Sequence, residues 1–166
     1  MAKSKKTVFS WIVLAVYVIF LTWVIVFKFG YASLSFTGYR LPINWIPFGG
    51  SAMIGDRIDY SEIVSNVLVF IPLGLCLSML GRPKSALLRV AVGLALSVAF
   101  EAVQYLFHAG SADITDVIMN TFGTALGVLA FIPIKKLLKE RAETVTGITI
   151  LVLTALFVAA FIFVLG

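Results

Sequence analysis

Charge is scarce in this 166-residue chain: 13% of residues are charged and 61% are hydrophobic. That balance lies outside the range of soluble domains and inside that of membrane proteins. A single cysteine, Cys76, excludes an intrachain disulfide. There is one histidine, His108, and no His-Glu-x-x-His spacing, so no metal or other cofactor is expected. The net charge of +5 does not form a continuous basic face, which argues against nucleic acid as a partner. No internal repeat is visible, which counts against an inverted-repeat transporter.

What the chain does have is long apolar runs. A membrane-spanning helix needs ~18 to 25 such residues. Runs over about 8–29, 62–80, 86–107 and 144–166, with a further one following Asp113, predict a single domain over residues 1–166. The fold class expected is all-α, an integral membrane bundle of five transmembrane helices. The first run is too long for an ordinary secretory signal and reads as a retained anchor.

Basic residues punctuate the runs. Lys3, Lys5, Lys6, Arg82, Lys84, Arg89, Lys135, Lys136, Lys139 and Arg141 fall on one side, and Lys28, Arg40 and Arg57 on the other. By the positive-inside rule the N-terminus is cytoplasmic. Six of the eight acids (Asp56, Asp59, Glu62, Glu101, Asp113 and Asp116) then belong to the outward half, giving it a net charge of −3 against +8 within. An outward site would favour a cation.

The polar residues inside the runs are periodic. Glu101, Gln104 and His108 stand at i, i+3 and i+7, and so do Asp113, Asp116 and Asn120. Each trio lies on one helix face. The small residues from Ala109 to Ala112, with Gly110 among them, predict a tight hairpin that brings the two stripes together just beneath the outer surface. An ionisable side chain in a span costs roughly 2.5 to 3.5 kcal/mol on insertion scales, so it persists where something compensates.

Asn66 lies at the same predicted depth, followed by Pro72 and Gly74, where proline frees backbone carbonyls. Gly93 with Ser97, and Gly123 with Gly127, have the four-residue spacing of close helix contacts. The connector over 30–61 is rich in aromatics and carries Arg40 and Asn44. The fifth run shows no feature of a site and reads as lipid-facing.

The residues expected to bind a ligand are Arg40, Asn44, Asn66, Glu101, Gln104, Asp113, Asp116 and Asn120. Alternatives stay open at this level. Asp113 is also placed to cap the fourth helix, with Asp116 in its first turn. Glu101 and Gln104 also suit an interhelical clamp. Arg40 is either a phosphate-level anchor or the counter-charge of the acids. Glu101 and Asp116 are candidates for a catalytic acid and base.

Four motifs in order, Asn44-Trp-Ile-Pro-Phe48, Asn66-Val-Leu-Val-Phe-Ile-Pro-Leu-Gly74, Glu101-Ala-Val-Gln104 and Asp113-Ile-Thr-Asp116-Val-Ile-Met-Asn120-Thr-Phe-Gly123, resemble the VanZ-like family. The resemblance covers about 40–133. It implies a multi-pass protein of the bacterial cell membrane associated with low-level teicoplanin resistance. Expected partners are a membrane lipid or lipid-linked cell-wall precursor and the glycopeptide antibiotic, with oligomeric state open. Many members have a basic residue shortly before the first aspartate of the Asp-x-x-Asp segment, where this chain has Gly110 and Ser111. Three functions follow: a non-catalytic protein that holds an envelope amphiphile, an intramembrane enzyme acting on a lipid-linked substrate, or a transporter subunit.

Overall fold

The structure is a computed structural model and describes residues 3–26, 43–48, 53–54, 57–58, 60–107 and 112–165. The described residues form five α-helices: α1 Lys3–Val26, α2 Tyr60–Leu80, α3 Ala86–Leu106, α4 Ile114–Leu138 and α5 Ala142–Leu165. A two-residue antiparallel pairing, β1 Met53–Ile54 with β2 Arg57–Ile58, precedes α2.

Among the described residues, length and apolarity mark four segments able to cross a membrane: Lys5–Ile25, Tyr60–Leu80, Ala86–Leu106 and Ile114–Val164. Five crossings were expected. The count differs because the last apolar segment continues through α4, a single 3-10 turn over Lys139–Arg141, and α5. At that turn Lys139 takes a positive φ of 48°, uncommon for a residue other than glycine.

After the turn, α5 runs alongside α1 in the same direction. Lys6 Nζ meets Glu140 Oε2 at 3.1 Å, the Phe20 and Phe157 rings meet edge-on at 5.5 Å, and Trp23 meets Phe161 at 4.9 Å. Lys135 at the end of α4 reaches Glu143 at the start of α5, 2.6 Å away.

α2 and α4 approach to backbone contact at their glycines. A methyl group on Gly127 would overlap the carbonyl oxygen of Ile71, and one on Gly123 would overlap that of Val67. Gly74 in turn faces the backbone of Thr124 and Val128. Small residues permit this approach, as in other membrane helix pairs, where hydrophobic expulsion from water gives no drive and contact area must supply it. α3 closes on α4 through Gly93, which sits against the Thr124 side chain. Tyr17 on α1 donates its hydroxyl to the Val69 carbonyl at 2.7 Å, tying α1 to α2. Phe70, Leu73 and Cys76 of α2 form a core with Val13, Tyr17 and Leu21 of α1.

The periphery is the reverse of a soluble protein. Leu87, Leu137 and Phe163 are 77%, 78% and 88% exposed, among many other large apolar residues. Patches on this scale mark a surface that another apolar phase covers.

Replacing Gly127 by alanine sets two effects against each other. Helix propensity gains about 1 kcal/mol, and overpacking costs about 1 to 3 kcal/mol. Because the obstructing group is backbone, the clash prevails. We expect Gly127→Ala to lower the thermal unfolding midpoint of the detergent-solubilised protein, and an unchanged or raised midpoint would show that α2 and α4 lie further apart.

Candidate functional site

The first turn of any α-helix leaves backbone N–H groups without intrahelical acceptors. α4 begins inside the bundle, so its acceptors must come from protein. Asp113 is its N-cap: the extended backbone (φ −129°, ψ 126°) lets Oδ1 accept from the Thr115 N–H at 2.7 Å. Asn44, far away in sequence, pairs with Asp113 as a parallel β-bridge. Its N–H donates to the Ala112 carbonyl at 2.9 Å and its carbonyl accepts from Ile114 N–H at 3.0 Å. Its side-chain amide donates to Asp113 Oδ2 at 3.1 Å. Phe48 N–H adds a bond to Thr115 Oγ1 at 3.0 Å.

The two polar stripes meet here. Glu101 on α3, only 6% exposed, accepts the Asp113 N–H through Oε2 at 2.9 Å. One turn deeper, the Asn120 amide donates to Ser97 Oγ at 2.9 Å. Gln104 turns toward α1 and donates to the Ile25 carbonyl at 2.8 Å, satisfying an acceptor in the last turn of that helix. Capping and clamping thus account for a bond at Asp113, at Glu101 and at Gln104.

Asp116 is placed differently. It is half-buried and accepts from the Asn66 side chain on α2 at 2.6 Å, the short distance of a charge-assisted bond. Asn66, Glu101, Gln104, Asp116 and Asn120, with Glu62, line the polar end of a cavity of about 960 Å³. Its volume is at the upper end for small-molecule sites. The rest of its wall is mainly apolar, with threonines on α5: Phe20 and Val24 of α1, Leu68, Pro72 and Leu75 of α2, and a face of α5. Pro72 has no N–H to offer the Leu68 carbonyl, so the helical ladder of α2 is interrupted along this wall.

That face of α5 consists of Val145, Thr146, Thr149, Ile150, Leu153, Thr154 and Phe157. The fifth run, expected to be lipid-facing, is exposed along much of its length and in addition lends this face to the cavity. The available signal was its threonines, 146, 149 and 154, at helical spacing with Leu153 and Phe157 in an otherwise featureless apolar helix. Of the residues expected in the site, Arg40 lies outside the described residues, as does His108 of the first stripe. Asn44 and Asp113 build the helix start and do not line the cavity wall. Among the described residues no group of three His, Cys, Asp or Glu is placed to hold a metal ion.

The VanZ/LLP1 family model matches residues 14–139, from within α1 to the end of α4. The chain belongs to the VanZ/LLP1 family. The match includes both polar stripes and extends further at each end than the motif-bearing stretch 40–133. Protein VanZ of Enterococcus faecium is 34% identical over 149 residues, covering 87% of this chain and 89% of that protein. No solved structure matches the chain.

Glu101 is the residue whose replacement separates structure from chemistry. Glutamine keeps an oxygen for the Asp113 N–H, whereas leucine leaves that buried donor unmet at about 1 to 3 kcal/mol. Glu101→Leu should therefore reduce thermal stability clearly more than Glu101→Gln, as read from unfolding in detergent. Equal losses would show that the Asp113 N–H does not depend on this carboxylate.

Proposed function

We propose that this chain crosses the bacterial cell membrane five times with its N-terminus cytoplasmic. In that topology it binds an amphiphilic or lipid-linked envelope molecule in the cavity between α2, α4 and α5. By doing so it alters how the cell surface meets teicoplanin-type glycopeptide antibiotics. The antibiotic part of this reading rests on family membership and the relationship to Protein VanZ.

The topology is supported by the reversal at Lys139–Arg141 together with the distribution of charge. α5 leaves the turn beside the N-terminal part of α1, and the basic clusters at residues 3–6 and 135–141 fall on one side. The observation that carries the binding reading is the division of the cavity wall. Its carboxylates and amides gather at the outward end, and its remaining length is lined by hydrocarbon and threonine. A polar mouth with an apolar stem matches an amphiphile better than a small polar solute.

A catalytic reading draws on one specific feature: Glu101 and Asp116 line the same cavity in unlike surroundings, one deeply buried and the other half-exposed. Such pairs divide acid and base roles in many enzymes. A new lipid species in extracts of expressing cells, lost in Glu101→Gln protein that remains in the membrane, would select that reading.

For the binding reading the informative variant is Asp116→Asn, which keeps the size and one acceptor of the side chain while removing its charge. In a susceptible host, we expect unchanged protein in the membrane fraction with teicoplanin resistance lost. Full resistance in Asp116→Asn cells would remove the polar mouth from the mechanism.

A further inference from the structure

We infer that the cavity receives one amphiphile at a time, with a single hydrocarbon chain longer than one membrane leaflet is thick: a polyisoprenyl lipid rather than an ordinary acyl lipid. This deepens the proposed binding function and rests on it.

The length is read from α4. The cavity is lined by Asp116, in the first turn of that helix, and by Leu138, its last residue. At 1.5 Å per residue these positions are roughly 33 Å apart. The hydrocarbon core of a bilayer is about 30 Å thick, and an acyl chain anchored at one surface fills about half of it. The cavity therefore passes through both leaflets.

The number of heads is read from where the polar groups lie. Asn66, Glu101 and Asn120 gather with Asp116 toward the start of α4. At the other end the wall is Ile134, Leu138, Val145 and Ile150, with the hydroxyls of Thr146 and Thr149, and among the described lining residues no charged side chain is found there. A polar head withdrawn from water needs partners in its place. Two shorter amphiphiles meeting tail to tail, one from each leaflet, would leave the second head against hydrocarbon. One head and one long chain match the wall.

The number of chains is read from the width. Spread over its length, the volume of about 960 Å³ gives a mean cross-section of roughly 30 Å². That admits one hydrocarbon chain and excludes two acyl tails side by side. Leu68 of α2 and Leu153 of α5 line the cavity and are also 57% and 60% exposed, so a chain already in the bilayer can enter sideways between these helices.

Prenols of three and seven isoprene units share one head and differ in length, and phosphatidylglycerol supplies a two-tailed comparison. Native mass spectrometry of the full-length protein in detergent reads their binding and counts the molecules bound. Wild-type protein should take up one seven-unit prenol, at least tenfold more tightly than the three-unit prenol or phosphatidylglycerol. Ile134→Trp, which fills the Leu138 end, should bring the two prenols to near-equal affinity. Thermal unfolding identifies a variant that has lost its fold, and Thr146→Leu then takes the place of Ile134→Trp.

Two three-unit prenols bound per protein, phosphatidylglycerol bound as tightly as the seven-unit prenol, or a length preference absent from wild-type protein or intact in the folded variants would each overturn this inference. In all of these cases amphiphile binding itself survives. Failure of prenols and phosphatidylglycerol alike to bind folded wild-type protein would overturn the proposed function as well.

Discussion

A helix that begins inside a membrane protein must have its first N–H groups satisfied without water. The end of the bundle that holds the start of α4 is arranged around that constraint. Asp113 caps its own helix, Asn44 brings in a strand-like segment from the preceding connector, and Glu101 arrives from α3. These residues tie the connector and α3 to the start of α4 by hydrogen bonds. Glu101, placed in a span at considerable desolvation cost, is compensated by a backbone donor that needs it.

With the start of α4 fixed, the glycines of α2 and α4 decide what lies beneath. Their backbone approach at Gly74, Gly123 and Gly127 brings Asn66 within hydrogen-bonding distance of Asp116. α5 joins the bundle chiefly along α1, through aromatic edges and the Lys6–Glu140 pair. The space between tightly joined α2 and α4 and the separately anchored α5 is the cavity. The polar residues that hold helices together therefore include Gln104, which ties α3 to α1, and Asp116, which ties α4 to Asn66 of α2 and also lines the cavity.

Much of this arrangement lies in the periodic polar residues, and the missing parts have physical causes. The spacing of Glu101 and Gln104, and of Asp113, Asp116 and Asn120, places two stripes that do meet, and the depth of Asn66 puts it level with them, where it bonds to Asp116. The acceptor and donor that engage Gln104 and Glu101 are the Ile25 carbonyl and the Asp113 N–H. Every residue has such backbone groups, so side-chain identity does not reveal them. The role of α5 was hidden for a related reason: a helix apolar on all sides has no preferred face until a neighbour is placed beside it. The number of crossings is ambiguous from composition because only the three-residue turn Lys139–Arg141 separates two long apolar helices.

The proposed function requires that the cavity between α2 and α5 receive an amphiphile with its head beside Asp116. Cryo-electron microscopy of the protein in nanodiscs of native bacterial lipid tests this most directly. The account predicts elongated density along Leu68 and Leu153 that widens next to Asp116. A map in which α5 is packed onto α2 and leaves no continuous space there would contradict it.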